Sequence, residues 1–459
     1  MMTPETDERT TAAVSPAAPR RRRHPQWKGD LALMLISIEV GLATGLGIVA
    51  TDTSAWGTPD GAMHAISRIT AMSGTALALV SVLLSSRMPW LEREVGQDRL
   101  IKWHRLVGPY SLWLIFTHVL TVTIGYAIMD GISVWSEFWS MITTMPHMMA
   151  ALLGFVFMMM IGVTSYKKAR AKLKYETWWT IHLYAYLGVL LSFFHEVNNG
   201  TMFPTNQAMK MWWLAMHVIT FAIVLWYRVL VPATTSLRYN VRVEQVVREN
   251  HNTVSVIMQG RNLDKLGARG GQFFGFRFIA KRYWWESHPY SISAAPRDNR
   301  LRITVKDLGD QSAWMADLQP GTRVKLSGPY GVFTADQVDG KRVTMIAGGV
   351  GITPIRALLE ELPADVSVDI IWRASTERDL MLRDEVEALA AQRDARIHYL
   401  VGSRRQVNLG TATLSRLVPD IASTQVFICG PEGIVTQAND SLRALGVPKR
   451  HIHDEAFAY

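Results

Sequence analysis

Six apolar stretches, roughly 31–50, 62–85, 106–128, 147–165, 178–195 and 211–231, crowd the first half of this 459-residue chain. Each approaches the roughly 20 residues that a helix needs to cross a hydrocarbon core about 30 Å thick. A chain so patterned cannot be a single soluble globule. It predicts a six-helix transmembrane bundle, because helices satisfy their own backbone in lipid. The stretch 178–195 is short for a span, but Trp178 and Trp179 at its start suit the aromatic belt of a membrane interface.

The loops orient the bundle. Arg20, Arg21, Arg22 and Arg23 precede the first stretch. Arg87, Arg93, Arg99, Lys102 and Arg105 follow the second; Lys167, Lys168, Arg170, Lys172 and Lys174 follow the fourth. Loops 51–61 and 129–146 contain no Lys or Arg, and 196–210 has only Lys210. The positive-inside rule then places the N-terminus, both basic loops and everything after the sixth stretch in the cytoplasm. The net charge of +9 is largely explained by this topology, so no nucleic-acid partner is implied. Residues 1–29, rich in Thr, Ala, Pro and charge, read as a disordered basic tail, and the first apolar stretch as an anchor rather than a cleaved signal. The lone Cys429 excludes intrachain disulfides and cysteine-ligated clusters.

Four histidines lie within the bundle. His104 and His118 are 14 residues apart; His182 and His195 are 13 apart. At about 1.5 Å rise per residue each pair spans roughly 20 Å, one imidazole toward each leaflet. Two such helices facing each other can clamp two stacked haems, each iron bound axially by one imidazole from each helix. The alternative reading of any one of these histidines is a hydrogen-bonding residue between helices. A spacing of 14 returns to the same helix face, but 13 misses it by roughly 140° at 3.6 residues per turn. The second helix is therefore expected to bend or to carry a local irregularity, with Gly188 midway as a place for it. His64 and His217 lack such partners and read as structural or haem-periphery residues.

After Pro232 the texture changes. Segments 238–246, 253–259, 272–279, 301–306 and 322–327 read as strands divided by turn residues, predicting an antiparallel β-barrel over 236–336. From 340 to 459 strands at 343–347, 367–373, 396–401 and 425–429 alternate with helical runs, as in a parallel α/β domain of doubly wound type. The turn Gly348-Gly349-Val350-Gly351-Ile352-Thr353-Pro354 follows a strand and opens a helix, where bare amides can meet a pyrophosphate. A tight strand-to-helix turn wants glycine for its own sake as well.

The run His288-Pro289-Tyr290-Ser291-Ile292-Ser293-Ala294-Ala295-Pro296 resembles the ferredoxin-NADP reductase superfamily, and within it the NADPH oxidase and ferric reductase family of transmembrane flavocytochromes. Further motifs follow in that family's order: Gly271-Gln272-Phe273, Gly309-Asp310-Gln311-Ser312, Gly328-Pro329-Tyr330-Gly331, the glycine turn, Cys429-Gly430-Pro431 and Glu455-Ala456-Phe457. The histidine spacings also match its two haem-bearing helices. The resemblance covers nearly everything after residue 30, the haem domain corresponding to 30–232.

Carried onto this chain, the resemblance implies FAD, two haem b groups and NADPH as cofactors, with NADH left open. His104, His118, His182 and His195 would ligate iron. Tyr290 would stack on the flavin and Ser291 would hydrogen-bond near its reactive nitrogen. Gln272, Phe273, Pro289, Ile292 and Ser293 would line the same cofactor. His288 and Ser312 would hold its pyrophosphate, with Lys306 as a helper or a solvated strand residue. Gly348, Gly349, Gly351, Thr353, Gly430 and Pro431 would cradle the nicotinamide dinucleotide. Arg373, Arg404 and Arg405 are candidate 2′-phosphate clamps or solvated loop residues. Cys429 would sit by the nicotinamide, or be an ordinary buried thiol. Phe457, or else Tyr459, would cover the flavin, and Glu455 would steady nearby hydrogen bonds. Arg68 would meet a haem propionate, or pair helices.

The resemblance implies an NAD(P)H-dependent oxidoreductase of the bacterial cell membrane. Electrons from cytoplasmic NADPH would reach an outer acceptor, either oxygen or a ferric or cupric chelate. Val122 stands where oxygen-reducing relatives often carry a further histidine. The alternative is a subunit supplying electrons to a separate periplasmic or membrane partner.

Overall fold

In the computed structural model of the chain, residues 27–280, 284–403 and 407–457 are described. The bulk of the expected tail, together with Arg404, Arg405 and Tyr459, lies outside the described residues. The chain divides after Val231 into two units.

The first unit is helical: α1 (Trp27–Val49), α2 (Pro59–Leu84), α3 (Pro89–Val95), α4 (Gln97–Asp130), α5 (Val134–Thr144), α6 (Met148–Ser165), α7 (Lys167–Arg170), α8 (Tyr175–Asn199) and α9 (Gln207–Val224). Local signals set the ends. Thr58 caps α2 through Gly61 N at 3.3 Å with Pro59 in the first turn, and Asn206 caps α9 through Met209 N at 3.0 Å. Gly96 and Gly131 bracket α4 with φ of 87° and 68°, conformations that glycine adopts freely.

Among the described residues, five helices are long and apolar enough to cross a membrane: Gly29–Val49, Pro59–Leu84, Arg99–Asp130, Met148–Ser165 and a run Gln207–Tyr239. The expected span 178–195 forms helix α8, but α8 is not one of the five. Its two histidines, Glu176 and Glu196 lower its hydropathy. Arg99, Lys102 and Arg105, read as loop residues, belong to α4, which begins well before the apolar stretch. α8 runs as one uninterrupted α-helix through Gly188, so the irregularity expected there is not a break in the helix. Gly188 instead brings α8 against α6. A Cβ on it would stand 3.1 Å from the Gly154 carbonyl, and a Cβ on Gly154 would stand 2.7 Å from that of Gly188. Small residues permit this close crossing between helices in lipid.

The second unit opens with α10 (Val231–Tyr239), where a strand over 238–246 was expected. Strands β1 (Arg242–Asn250), β2 (Thr253–Gln259), β3 (Phe273–Phe278), β4 (His288–Ser291), β5 (Arg300–Lys306) and β6 (Val324–Tyr330) follow, with α11 (Asp310–Ala313) between the last two. They form two antiparallel three-stranded sheets, β1-β2-β5 and β4-β3-β6. Isolated bridges Ile292↔Ile303 and Arg242↔Arg323 link the two sheets. Phe274, Phe276, Val256, Met258, Ile292 and Ile303 fill the core between them.

The last segment alternates β7 (Arg342–Gly348), α12 (Ile352–Glu361), β8 (Ser367–Ala374), α13 (Arg383–Ala391), β9 (Arg396–Val401), α14 (Thr411–Leu417), β10 (Gln425–Pro431), α15 (Glu432–Ala444) and β11 (Ile452–Phe457). The sheet is parallel, in the order β11-β10-β7-β8-β9. Alternate residues face opposite helical layers: Met345, Ile370 and Phe427 pack on one side, Ile346, Ile371 and Ile428 on the other. The chain reverses direction across the sheet between β7 and β10. That topological switch point is where doubly wound sheets bind their ligands.

Candidate functional site

In the helical unit α4 lies antiparallel to α2, and the contacts between them follow a fixed register. His104 Nδ1 is 2.9 Å from the Ser81 carbonyl, Ser111 Oγ donates to the Gly74 carbonyl at 2.9 Å, and His118 Nδ1 is 3.1 Å from the Ser67 carbonyl. The same nitrogens lie 2.9 Å from Ser81 Oγ and 3.0 Å from Ser67 Oγ. A carbonyl oxygen only accepts, so each Nδ1 carries the proton. Each Nε2 is then the nitrogen with a free lone pair, the tautomer of a metal-binding histidine held from behind.

The partners on α8 complete two levels. The rings of His104 and His182 stand 5.9 Å apart at an interplanar angle of 69°. Two imidazoles bound trans across one metal, each with a metal–nitrogen bond of about 2 Å, would place their rings roughly 6 Å apart. His195 lies within electrostatic reach of His118. The spacing of His104 and His182 therefore suits a bis-imidazole centre. His182 Nδ1 is 3.4 Å from Ser165 Oγ, which also accepts the Trp178 indole N–H at 3.1 Å. His195 Nδ1 is buried and meets no partner in good hydrogen-bond geometry, with the Ser192 backbone within its reach. Among the described residues, no cluster of three or more His, Cys, Asp or Glu forms a metal site made of protein ligands alone.

The other intramembrane polar residues act between helices. Arg68 Nη1 donates to the Ala50 carbonyl at 2.7 Å and to Thr51 Oγ1 at 3.3 Å, and Nη2 to Thr201 Oγ1 at 3.5 Å, tying three segments together. His217 is buried, its Nδ1 bonded to the Trp213 carbonyl at 3.0 Å and its Nε2 3.4 Å from Glu196. Trp213 Nε1 donates to the same carboxylate at 2.9 Å. His64 lies edge-on to Tyr126, 4.6 Å between rings, and packs over Gly125.

In the second unit the motif residues gather around β3, β4 and the switch point. Tyr290 pairs with Phe274 and Ser291 with Phe273. Burial pushes the Tyr290 phenol well above its ordinary range, so it stays neutral. Gln272 stitches the turns below it, accepting from Arg269 N at 2.9 Å and donating to the Gly331 carbonyl at 3.0 Å. Phe273 packs on Tyr330, 5.7 Å between rings. His288 Nε2 lies 3.3 Å from Glu286, and Pro289 is exposed.

Several expected contacts fall elsewhere. Ile292 is wholly within the barrel core, leaving only its backbone to face a cofactor. Ser293 Oγ receives Arg302 Nε at 3.1 Å and Thr304 Oγ1 at 2.8 Å. Ser312 Oγ closes its own loop, accepting from Leu308 N at 2.7 Å and donating to the Gly309 carbonyl at 3.0 Å. Lys306 pairs with Asp379 at 3.0 Å, a strand cation meeting the nearest acid. Arg373 is buried and donates to the Ala374 carbonyl, so its guanidinium is engaged along its own strand.

At the switch point Gly349 has φ of 55°, and Gly351 presses on β10 so closely that any Cβ would collide with the Cys429 carbonyl. A Cβ on Gly430 would stand 3.1 Å from the Gly348 Cα, so the two turns touch backbone to backbone. Thr353 Oγ1 donates to the Val350 carbonyl at 3.0 Å and locks the first turn of α12. Cys429 is fully buried in the sheet core; burial, and then the neighbouring Glu455, push its thiol well up. It is a neutral packed thiol. Glu455 lies opposite Cys429 and Phe457 opposite Pro431 in the parallel register. A Cβ on Gly331 would stand 3.9 Å from Glu455 Oε1, so the last strand reaches the barrel's motif turn.

Sequence reasoning missed two features. One is the α2 ladder. Its signal was present, since Ser67, Gly74 and Ser81 repeat the sevenfold spacing of His104, Ser111 and His118. The other is the ion-pair web between barrel and nucleotide segment. Arg302 holds Glu385 through two bonds of 2.7 and 2.8 Å, and Arg356 Nε adds a third contact to Glu385 at 2.9 Å. Pairs so distant in sequence leave no local pattern.

Comparison with known proteins divides along the same boundaries. Residues 70–193 match the family described as "Ferric reductase like transmembrane component", 238–334 "FAD-binding domain" and 345–440 "Oxidoreductase NAD-binding domain". The chain is 32% identical over 188 residues to ferredoxin–NADP reductase B of Sorangium cellulosum, covering 37% of this chain and 77% of that protein. It is 32% identical over 228 residues to the ferredoxin reductase component of 3-ketosteroid-9-alpha-monooxygenase from Mycolicibacterium smegmatis, covering 47% of this chain and 64% of the relative. The corresponding component from Mycobacterium tuberculosis is 31% identical over 41% of this chain, which spans 54% of that relative. The FAD/NAD-binding domain of a Vibrio cholerae nitric oxide dioxygenase superposes with a TM-score of 0.42 at 25% identity, covering 48% of this chain and 99% of that one.

Proposed function

The chain belongs to the NADPH oxidase and ferric reductase family, with a ferredoxin-NADP reductase-like dehydrogenase half, and is an NAD(P)H-dependent oxidoreductase; from that premise we propose that it conducts electrons across a bacterial cell membrane to an acceptor on the outer face. In this reading Tyr290 and Ser291 on β4 would hold FAD, which would supply hydride acceptance from NADPH and one-electron release, and two bis-histidine haem b groups would supply the outward path. His104 and His182 hold the inner group, His118 and His195 the outer. α8 would be the sixth crossing, with Ser192 buried and Glu196 bonded to Trp213 and Thr75 within the bundle. The basic loops orient the N-terminus and dehydrogenase half toward the cytoplasm.

The observation that carries this reading is the His104–His182 pair at 5.9 Å, with the α4 imidazoles committed at Nδ1 and open at Nε2. On the dehydrogenase side the chain's own groups position. Tyr290 offers a neutral aromatic face for an isoalloxazine, and the glycine turn offers bare amides where β7 and β10 diverge. The outer acceptor is oxygen or a ferric or cupric chelate, with Val122 weighing against oxygen.

Purified full-length protein given NADPH and FAD tests the proposal. Two haems per chain with bis-imidazole spectra, reduced on adding NADPH, are the expected result; a single haem, or none, overturns it. Superoxide dismutase-sensitive reduction of cytochrome c identifies oxygen as acceptor, and anaerobic reduction of ferric chelate identifies the metal.

A second reading has its own support. The relatives from Mycolicibacterium and Mycobacterium are named as reductase components of a monooxygenase. By that likeness the chain supplies electrons to a separate protein, and haems reduced by NADPH without either activity would favour it.

A further inference from the structure

The bundle sets its two helices of ligands very differently. On α4 the residues His104, Ser111 and His118 are spaced by seven, and on the antiparallel α2 their partners Ser81, Gly74 and Ser67 are spaced by seven in reverse. Each rung carries a side-chain proton of α4 to a main-chain oxygen of α2, at 2.9, 2.9 and 3.1 Å. Gly74 at the centre lets the helices close, since a Cβ there would stand 3.0 Å from Ile115 and 3.1 Å from Leu114. Seven residues make nearly two full turns, so all three rungs lie on one seam.

The outer rungs differ from the middle one. At each of them a serine hydroxyl joins the carbonyl, 2.9 Å from Nδ1 at Ser81 and 3.0 Å at Ser67. Because Nδ1–H is fixed as donor by the carbonyl, the hydroxyl acts toward it as a second acceptor. Two acceptors on one imidazole N–H pull its proton outward and make Nε2 more basic. No such pair serves α8, where His182 has one hydroxyl at 3.4 Å and His195 has no partner in hydrogen-bond geometry.

We propose that Ser67 and Ser81 are positioning residues, each adding a second acceptor to the Nδ1–H of one α4 ligand and lowering the reduction potential of that haem alone. α2 is then a third haem-binding helix that touches no iron. This inference rests on the bis-histidine reading above. A more basic axial imidazole favours ferric over ferrous iron, and second-shell hydrogen bonding is one of the levers by which proteins set haem potentials.

The test is an equilibrium redox titration of the full-length protein in detergent, followed in the haem bands, with haem content measured for each variant. Wild type first shows whether two haems are present; if it does not, the underlying reading fails and the variants are moot for that reason. With two haems present, Ser81→Ala raises the potential of one wave and Ser67→Ala raises that of the other, both at full haem content. Ser81→Thr and Ser67→Thr, which keep the hydroxyl, restore wild-type potentials. Ser111→Ala, which deletes the rung that holds no ligand, moves neither. If both alanine variants leave the waves in place or shift the same wave, or if Ser111→Ala shifts the waves as they do, the inference is overturned while the haem assignment stands.

Discussion

In the membrane half, side chains are held by hydrogen bonds between helices far apart in sequence, such as His118 to the Ser67 carbonyl at 3.1 Å and the Ser67 hydroxyl at 3.0 Å. In the dehydrogenase half they are held by backbone pressed on backbone, as where Gly351 meets the Cys429 carbonyl and Gly430 meets Gly348. The difference follows from solvent. In lipid an imidazole N–H without a partner costs several kcal/mol, so a side chain can be aimed by giving it one acceptor. In a water-facing cleft the same bond is exchangeable, and shape has to do the positioning.

The contrast is broken most forcefully at the outer ligands. His118→Leu and His195→Leu should abolish delivery of electrons to external acceptors and remove about half of the bound haem, while NADPH still reduces flavin at the wild-type rate. Rapid-mixing absorbance in the flavin and haem bands separates the two. Full external delivery in either variant would show that the membrane half does not depend on these imidazoles.

Next in size is Gly351→Ala, which attacks the backbone-held side. Overpacking of this kind costs roughly 1–3 kcal/mol. Here the obstacle is a strand carbonyl that cannot rotate away, so the upper end applies. Hydride transfer from NADPH should fall by at least about tenfold, with the haem spectrum unchanged. Normal hydride transfer would mean that the two turns are not held in contact.

The same contrast explains what could be read from sequence. The dehydrogenase half announces itself because its motifs are contiguous: His288-Pro289-Tyr290-Ser291 is β4 itself, and the glycine turn follows β7 directly. Strands 253–259 and 396–401 were bounded correctly, since alternation and turn residues are local signals. What failed was non-local. Lys306 found Asp379 and Ser293 found Arg302, pairings fixed by tertiary proximity. The spacing of the four histidines was legible, but the neighbour that Gly188 meets was not. In the structure that glycine serves the α6 contact. The strand expected at 238–246 began only at Arg242, because the preceding apolar run stays helical to Tyr239.

The ion-pair web sharpens the comparison at intermediate size. Burial alone pushes the Glu385 carboxyl up, but Arg302 and Arg356 outweigh it and hold the group below its ordinary value. A depressed carboxylate stabilises the fold above its unfolded pKa, and that contribution disappears as pH falls through the lowered folded value. The dehydrogenase half should therefore lose stability on acidification below about pH 4.5, and Glu385→Gln should flatten that loss. At neutral pH Arg302→Ala should cost about 1–3 kcal/mol, less than for a fully buried pair because the Glu385 side chain is 35% exposed. Thermal unfolding of both variants and of the double variant measures the coupling. Additive effects would show that the web holds nothing.

The smallest effect concerns Cys429, which the resemblance places beside the nicotinamide. Its side chain is wholly enclosed, and burial pushes the thiol well above its ordinary range, with the Glu455 carboxylate adding to the shift. Only a thiolate attacks an alkylating reagent, and this one is both closed off and protonated at neutral pH. Native protein should therefore resist iodoacetamide, label fully in denaturant, and keep hydride transfer within about twofold in Cys429→Ala, at a packing cost of about 1 kcal/mol. NADPH-sensitive labelling of the folded chain would place the thiol at an open nicotinamide site, and the dehydrogenase half would then position a reactive side chain as the membrane half does.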